Sequence, residues 1–243
     1  MLMDPNAFHY AVEVLSADWW MMNFAWITAL CFLLYYTKNK SEDFRNKVGK
    51  YIGTIMLLNF VAGQLNMIGS NSWNISTSLP LQLCSLSVFL SIYLMFSKSQ
   101  WVYEILLCWS AGAIHSFITP ELTTGRSVFK LIDYTISHGG ILVAGIYATT
   151  RLSYSPRAWS WLKILAITQL TLPTVGVLNF LIDSNYMYLR HRPLANNPFL
   201  IGEWPYYLIG LQAAALLHFF LIIKLHQWLG KKYIPKKSTL TTA

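Results

Sequence analysis

Long apolar stretches alternate with short polar connections along the whole sequence. The apolar stretches are about 18 to 25 residues long, and a helix needs about 20 residues to cross a hydrocarbon core about 30 Å thick. A helix is the default spanning element, because every backbone group in lipid must be hydrogen-bonded within the protein. We therefore predict seven transmembrane helices, at residues 19–36, 48–68, 79–96, 101–118, 131–149, 161–182 and 205–229.

The composition supports the same fold class. The chain has 243 residues, of which 55% are hydrophobic and only 12% are charged, whereas about 25% charged residues is typical of soluble domains. The sequence therefore predicts an all-α, polytopic helical membrane protein. We expect residues 1–243 to form a single transmembrane domain, with residues 230–243 as a short basic cytoplasmic tail.

The basic residues are distributed unevenly between the predicted connections. When alternate connections are assigned to opposite sides of the membrane, 14 of the 18 lysines and arginines fall on the side of the C-terminal tail and 4 on the other. Because basic residues favour the cytoplasmic side, we predict that the N-terminus is outside and the C-terminus cytoplasmic. The net charge of +8 then reflects topology and attraction to anionic lipids. We predict a multi-pass protein of the cell membrane with no nucleic-acid partner.

Polar side chains concentrate in the outer half of the predicted bundle. They are Gln64, Gln82, Cys84, His115, His138, Asn179, Asn185 and Tyr186. Such groups are costly in lipid and are candidates for function. Cys84 is five residues into the third span and His138 seven residues into the fifth, which corresponds to depths of about 7.5 and 10.5 Å from the same face. The inner half is sparser, with Glu104, Gln169 and His218 as exceptions.

A thiol and an imidazole at one depth suggest nucleophilic chemistry. The thiolate is the reactive form of cysteine, and a neighbouring histidine can accept its proton. The depth suits the ester groups of an outer-leaflet phospholipid, and the amides of Gln82 and Asn179 could stabilise an oxyanion. We assign supporting roles to Gln64, His115, Asn185 and Tyr186.

Structural interpretations of these residues stay open. A lone cysteine in an apolar helix is usually a small hydrophobic residue, and His138 could instead bond a neighbouring carbonyl. His115 could simply cap the end of its span. We assign His218 and His226, and the two remaining cysteines, to packing. We expect no metal or soluble cofactor, because no set of His, Cys, Asp and Glu has the spacing of metal ligands.

Several stretches, taken in order, resemble a known family. They are Ser-Leu-Pro-Leu-Gln-Leu-Cys at 78–84, Thr-Pro-Glu-Leu at 119–122, Ser-His-Gly at 137–139 and Asn-Phe-Leu at 179–181, followed by Asn-Tyr-Met-Tyr-Leu-Arg at 185–190. They resemble the YwaF-like family of bacterial integral membrane proteins, which is related to the animal transmembrane protein 164. The resemblance extends from about residue 79 to about residue 229.

The resemblance implies a coenzyme-A-independent acyltransferase that moves a fatty acyl chain between phospholipid and lysophospholipid. Cys84 would be its nucleophile and His138 the partner base. The chain departs from the family pattern at Gln82, where many bacterial members have a histidine. Glutamine keeps a hydrogen-bond donor there but cannot shuttle a proton, so the departure bears on activity.

Two other functions remain open at this stage. A small-solute transporter or binding protein would use the outer polar cluster for recognition, and its path would continue inward past His218, Gln169 and Glu104. A non-catalytic accessory subunit would carry no thioester on Cys84 and would depend on a partner. The sequence leaves the oligomeric state unknown.

Overall fold

The computed structural model describes residues 9–123, 125–194 and 198–233, with side chains described up to residue 229. Within these residues the chain forms seven α-helices, which confirms the predicted number of helices. A short turn of 3-10 helix lies at Tyr186–Tyr188. The helices are α1 Ala17–Thr37, α2 Glu42–Gly69, α3 Leu83–Ser97, α4 Gln100–Ile118, α5 Val128–Arg151, α6 Ser160–Leu181 and α7 Tyr206–Tyr233.

The helix ends follow capping residues more closely than apolar boundaries. The side chain of Ser41 accepts from the amide of Phe44, so α2 begins at Glu42, six residues before the predicted span. Gln82 is the extended N-cap of α3, so that helix begins four residues later than predicted. Cys84 is consequently the second residue of α3 and lies in its first turn.

Five of the helices are long and apolar enough to cross a membrane: α1, α2, α4, α6 and α7. Helix α3 is apolar but has only 15 residues. Helix α5 has 24 residues and carries Lys130, Asp133 and His138 in its first half, which lowers its apolar character. Many large apolar side chains are exposed on the surface of the bundle. Phe180, for example, is 81% exposed and Leu170 is 74% exposed. Exposed apolar surface on this scale marks a protein that faces an apolar phase.

Helix α5 packs against α1, α2, α3 and α4. Two adjacent glycines allow these close contacts. A Cβ atom on Gly139 would lie 2.7 Å from Cβ of Trp26 in α1, and one on Gly140 would lie 2.9 Å from Cε of Met56 in α2. Helix α4 also contacts α6 and α7, which pack against each other, so α4 joins the two groups of helices.

Two features fix the ends of α4. At its start, the fully buried carboxylate of Glu104 accepts hydrogen bonds from the Arg157 side chain at 2.9 and 2.6 Å and from the Arg157 amide at 2.8 Å. After its end, β2 (Glu121–Leu122) pairs antiparallel with β1 (Tyr10–Ala11). This strand pair joins the segment before α1 to the connection between α4 and α5.

The predicted basic tail at 230–243 falls mostly outside the described residues. Residues 230–233 continue the backbone of α7.

Candidate functional site

A cavity of about 510 Å³ lies between helices α2 to α7. Its lining includes five of the residues singled out in the sequence: Gln64, Gln82, Cys84, His115 and His138. The other three, Asn179, Asn185 and Tyr186, are not among its described lining residues. The third and fifth helices therefore do bring the thiol and the imidazole to one cavity.

The Cys84 thiol lies against α4. Its Sγ is 3.9 Å from Oγ of Ser116, and it would be 3.8 Å from a Cβ placed on Gly112. Because the Ser116 hydroxyl donates to the Gly112 carbonyl at 3.0 Å, its oxygen is left to accept from the thiol.

The first turn of α3 leaves hydrogen-bond donors next to this thiol. The first amides of a helix have no partner within it, and the N-cap Gln82 satisfies none of them with its side chain. These amides and the helix dipole favour negative charge at the start of α3.

The His138 ring is oriented by Tyr134, one turn earlier in α5. Its Nδ1 is 3.0 Å from the Tyr134 carbonyl, and the two rings are 3.9 Å apart between centroids. Because a carbonyl only accepts, Nδ1 carries the proton, and Nε2 of the neutral ring has a free lone pair. Nε2 has no hydrogen-bond partner in the described part of the chain.

The thiol and the imidazole are not hydrogen-bonded to each other among the described residues. They are linked instead through α4, since the Tyr134 hydroxyl donates to the Ser116 carbonyl at 2.9 Å, beside the Ser116 hydroxyl that contacts Cys84. The same residue of α4 therefore positions both candidate groups.

Asn179 and Tyr186 organise the connection between α6 and α7. The fully buried side chain of Asn179 accepts from the Tyr186 amide at 2.8 Å and donates to the Tyr186 carbonyl at 2.8 Å. The Tyr186 hydroxyl donates to the Ile75 carbonyl at 2.7 Å and accepts from the Leu79 amide at 2.8 Å. Burial raises the pKa of Tyr186 to about 12, so the hydroxyl stays protonated and can donate.

Gln82, Asn185 and Gln64 hold the same loops. Oε1 of Gln82 accepts from the Met187 amide at 2.7 Å, and Met187 has a left-handed backbone with φ of 58°. Oδ1 of Asn185 accepts from the amides of Arg190 and His191, each at 3.0 Å. Gln64 donates to the Ser78 carbonyl at 3.1 Å and accepts from the Trp73 indole at 3.0 Å. These contacts hold together the loops at the N-terminal end of α3 and the C-terminal end of α6.

His218, which the sequence analysis assigned to packing, lies beside His115 in the structure. His218 lines the cavity, and its Nε2 is 3.1 Å from Nε2 of His115. Helix α7 begins at Tyr206, after the connection from α6, and His218 is twelve residues further on. Phe199, from that connection, packs edge-on against both rings at 5.5 and 5.6 Å.

Several lining residues were missed in the sequence. Oδ1 of Asp133 accepts from the side-chain Nδ2 of Asn59 at 2.8 Å. Oε1 of the buried Glu121 lies 2.6 Å from Nδ1 of His9. Asp133 could have been found, because an acidic residue inside a predicted span is itself a signal of function. Ser116 and Tyr134 carried no such signal.

Of the three residues that a transporter was expected to use, His218 lines the described cavity and the other two do not. Glu104 and Gln169 are absent from the described cavity lining; Glu104 pairs with Arg157, and Gln169 donates to Gln212 at 2.6 Å. No group of three His, Cys, Asp or Glu residues in the described ranges could hold a metal ion. All three cysteines are free.

Comparison with known proteins gives one match. The model of the TMEM164 family matches residues 14–223, more than four fifths of the chain. No curated protein and no solved structure matches it. Together with five helices that could cross a membrane, the match indicates a multi-pass membrane protein.

Proposed function

The chain belongs to the TMEM164 family, and from that premise we propose that it is a phospholipid acyltransferase that carries the acyl chain on Cys84. We also propose that the chain is related to the YwaF-like bacterial members of this family and that its acyl transfer does not need coenzyme A. It also includes seven spans with the N-terminus outside, an orientation that would set the Cys84 end of the cavity at the outer leaflet of the cell membrane.

One observation carries the proposal: Cys84 and His138 line the same cavity, and Nε2 of His138 has no hydrogen-bond partner among the described residues. Much of that cavity is formed by apolar residues such as Phe60, Val88 and Leu172, which suit an acyl chain. The surrounding apolar helices would give a lipid lateral access without leaving the membrane.

In the first half-reaction, His138 Nε2 takes the thiol proton and the sulfur attacks an ester carbonyl of the donor phospholipid. The carbon–sulfur bond forms, the carbon–oxygen bond breaks, and the proton passes to the oxygen of the departing lysophospholipid. The free amides at the start of α3 would stabilise the oxyanion. The thiol must first exchange its contact with Ser116 for one with His138, and catalytic hydrogen bonds often tighten only when substrate binds.

In the second half-reaction, the hydroxyl of an acceptor lysophospholipid attacks the thioester, which gives a new phospholipid and restores the thiol. Gln82 contributes by holding the Tyr186–Tyr188 turn through Met187. The mechanism therefore needs no proton shuttle at position 82, where many of the bacterial proteins that the chain resembles have histidine.

The test is transfer of a labelled acyl chain in vesicles that contain the purified protein, a labelled phospholipid donor and an unlabelled lysophospholipid. We expect Cys84→Ala to abolish transfer, and His138→Ala to slow it by about 10²- to 10⁴-fold, the usual contribution of a general base.

The other two cysteines provide matched controls. Cys31 is exposed and Cys108 is buried, and neither lines the cavity among the described residues. A Cys31→Ala, Cys108→Ala double variant should transfer at the normal rate. Normal transfer by Cys84→Ala would refute the proposal.

A further inference from the structure

Among the residues that the structure describes, one lysine and no arginine line the cavity. The lysine is Lys130, which lies half-buried in the first turn of α5. The helix dipole disfavours a cation in a first turn, so helix stability does not account for this residue. Its ammonium group has neither a hydrogen bond nor an ion pair within the described parts of the chain. Lys130 therefore brings an unpaired positive charge to the cavity.

The other basic residues on this side of the bundle are paired. The sequence places four lysines and arginines on the side opposite the C-terminal tail, and Lys130 is one of them. Each of the three arginines has a carboxylate partner: Arg126 with Asp18 at 2.7 Å, Arg190 with Asp183 at 2.7 Å and Arg192 with Glu203 at 3.6 Å. Lys130 differs from them in both respects, because it is unpaired and it lines the cavity.

The two carboxylates of the described cavity lining have other partners. Oδ1 of Asp133, three positions after Lys130, accepts from Nδ2 of Asn59 at 2.8 Å. Oε1 of Glu121 lies 2.6 Å from Nδ1 of His9. Neither carboxylate forms an ion pair with Lys130 in the described structure, so the ammonium group is available to an anionic ligand.

Lys130 lies on the same stripe of α5 as the proposed base. Lys130, Tyr134 and His138 follow one another at intervals of four residues, which places them on one face of the helix, and all three line the cavity. At 1.5 Å per residue, Lys130 is about 12 Å from His138 along the helix axis, and its flexible four-carbon stem covers part of that span. In a glycerophospholipid the esters and the phosphate are attached to one glycerol. A lipid with its ester at Cys84 and His138 can therefore direct its phosphate toward Lys130.

We propose that Lys130 binds the phosphate of the lipid substrates and thereby favours phospholipids over uncharged glycerides. This role rests on the proposed acyltransferase function. Lysine binds phosphate as a point charge, and the attraction is stronger in a partly desolvated cavity than in water. The donor phospholipid and the acceptor lysophospholipid both carry this phosphate, so Lys130 acts in the formation and in the discharge of the thioester.

The test measures lipid binding and needs no catalytic turnover. The purified protein in an uncharged maltoside detergent is treated with N-ethylmaleimide, and alkylation of Cys84 is followed by mass spectrometry of its peptide. Hexadecylphosphocholine supplies a long chain and a phosphate without an ester, and the uncharged ether hexadecylglycerol supplies the chain alone. We expect hexadecylphosphocholine to protect Cys84 at a concentration at least about 10-fold lower than hexadecylglycerol, the effect of one bond to a charged group. Alkylation of Cys31, which is absent from the described lining, should be unaffected by either lipid.

Three variants show whether Lys130 causes this preference. Lys130→Met removes the charge and keeps an apolar stem, so the two lipids should protect at similar concentrations. Lys130→Arg keeps a phosphate-binding cation and should retain most of the preference. Arg126→Gln is the matched control, because Arg126 precedes Lys130 by one turn but is paired with Asp18 and is absent from the described lining; it should behave like the normal protein. Thermal unfolding of each variant checks that its fold is retained.

A last arm separates a lipid phosphate from a free one. Inorganic phosphate, compared with sodium chloride at equal ionic strength, should not protect Cys84. Protection by inorganic phosphate alone, equal protection by the two lipids in the normal protein, or an unchanged preference in Lys130→Met would overturn the role of Lys130. Each of these results leaves the acylation of Cys84 standing. Absence of acyl transfer by the normal protein would instead refute the acyltransferase proposal, even where Lys130 selects the phosphate lipid.

Discussion

Asn179→Ala tests whether this residue acts on the substrate, as the sequence suggested, or holds the α6–α7 connection. The substitution removes the partners of the Tyr186 amide and carbonyl, and Tyr186 is only 1% exposed. A buried polar group left without a partner costs about 1–3 kcal/mol, so two such groups cost about 2–6 kcal/mol. We expect a loss of at least about 2 kcal/mol in the free energy of unfolding.

The assay is thermal unfolding of the purified protein in detergent. For a chain of this size, 1 kcal/mol corresponds to about 2–4 °C in Tm, so the expected decrease is at least about 4 °C. Asn185→Ala is the matched control, because its side chain binds amides in a more exposed part of the same connection, and it should lower the Tm by less. An unchanged Tm in Asn179→Ala, with loss of acyl transfer, would show that Asn179 acts on the substrate and would refute this reasoning.

Three further predictions concern stability and topology. Arg157→Ala removes the counter-ion of the buried Glu104 carboxylate and should lower the free energy of unfolding, measured by thermal unfolding; an unchanged Tm would contradict it. Gly139→Ala should destabilise by about 1–3 kcal/mol, more than Gly140→Ala, because the first Cβ meets the root of a tryptophan side chain and the second meets a methionine that can move; the reverse order of Tm values would contradict it. A cysteine replacing the exposed Ser72 after α2 should react with an impermeant maleimide in intact cells without permeabilisation, and protection there would contradict the predicted orientation.

The number of helices could be predicted because length and apolar character are local properties of the sequence. The start of α3 could not be predicted from them. Leu79, Pro80 and Leu81 are apolar but lie outside the helix, and Gln82 is its N-cap. This difference of four residues matters chemically, since it moves Cys84 from the body of a span to a first turn with unpaired amides.

From their depths in the predicted spans, Cys84 and His138 could be expected to line one cavity. The residues in contact with the thiol could not be predicted. The thiol meets Ser116 and Gly112, and small residues in an apolar helix carry no signal of their own. The His115–His218 contact joins positions 103 apart. It depends on the packing of α7 against α4, a tertiary contact that the sequence pattern does not show.

The polar residues at the C-terminal end of α6 were singled out in the sequence, but the sequence did not indicate what they contact. The Tyr186 hydroxyl bonds backbone groups more than 100 positions earlier in the chain. Asn179 bonds the backbone of the turn that carries this tyrosine. A polar residue near a membrane surface can serve a site or a loop, and only the tertiary structure distinguishes the two.

The central claim is that Cys84 carries the acyl chain, and mass spectrometry of the Cys84 peptide tests it most directly. After incubation with phospholipid in the absence of an acceptor, the account predicts a mass increase equal to one acyl group on Cys84, removed by neutral hydroxylamine and absent from the peptides that contain Cys31 and Cys108. An unmodified Cys84 peptide, from protein that still transfers acyl chains when lysophospholipid is supplied, would contradict the account.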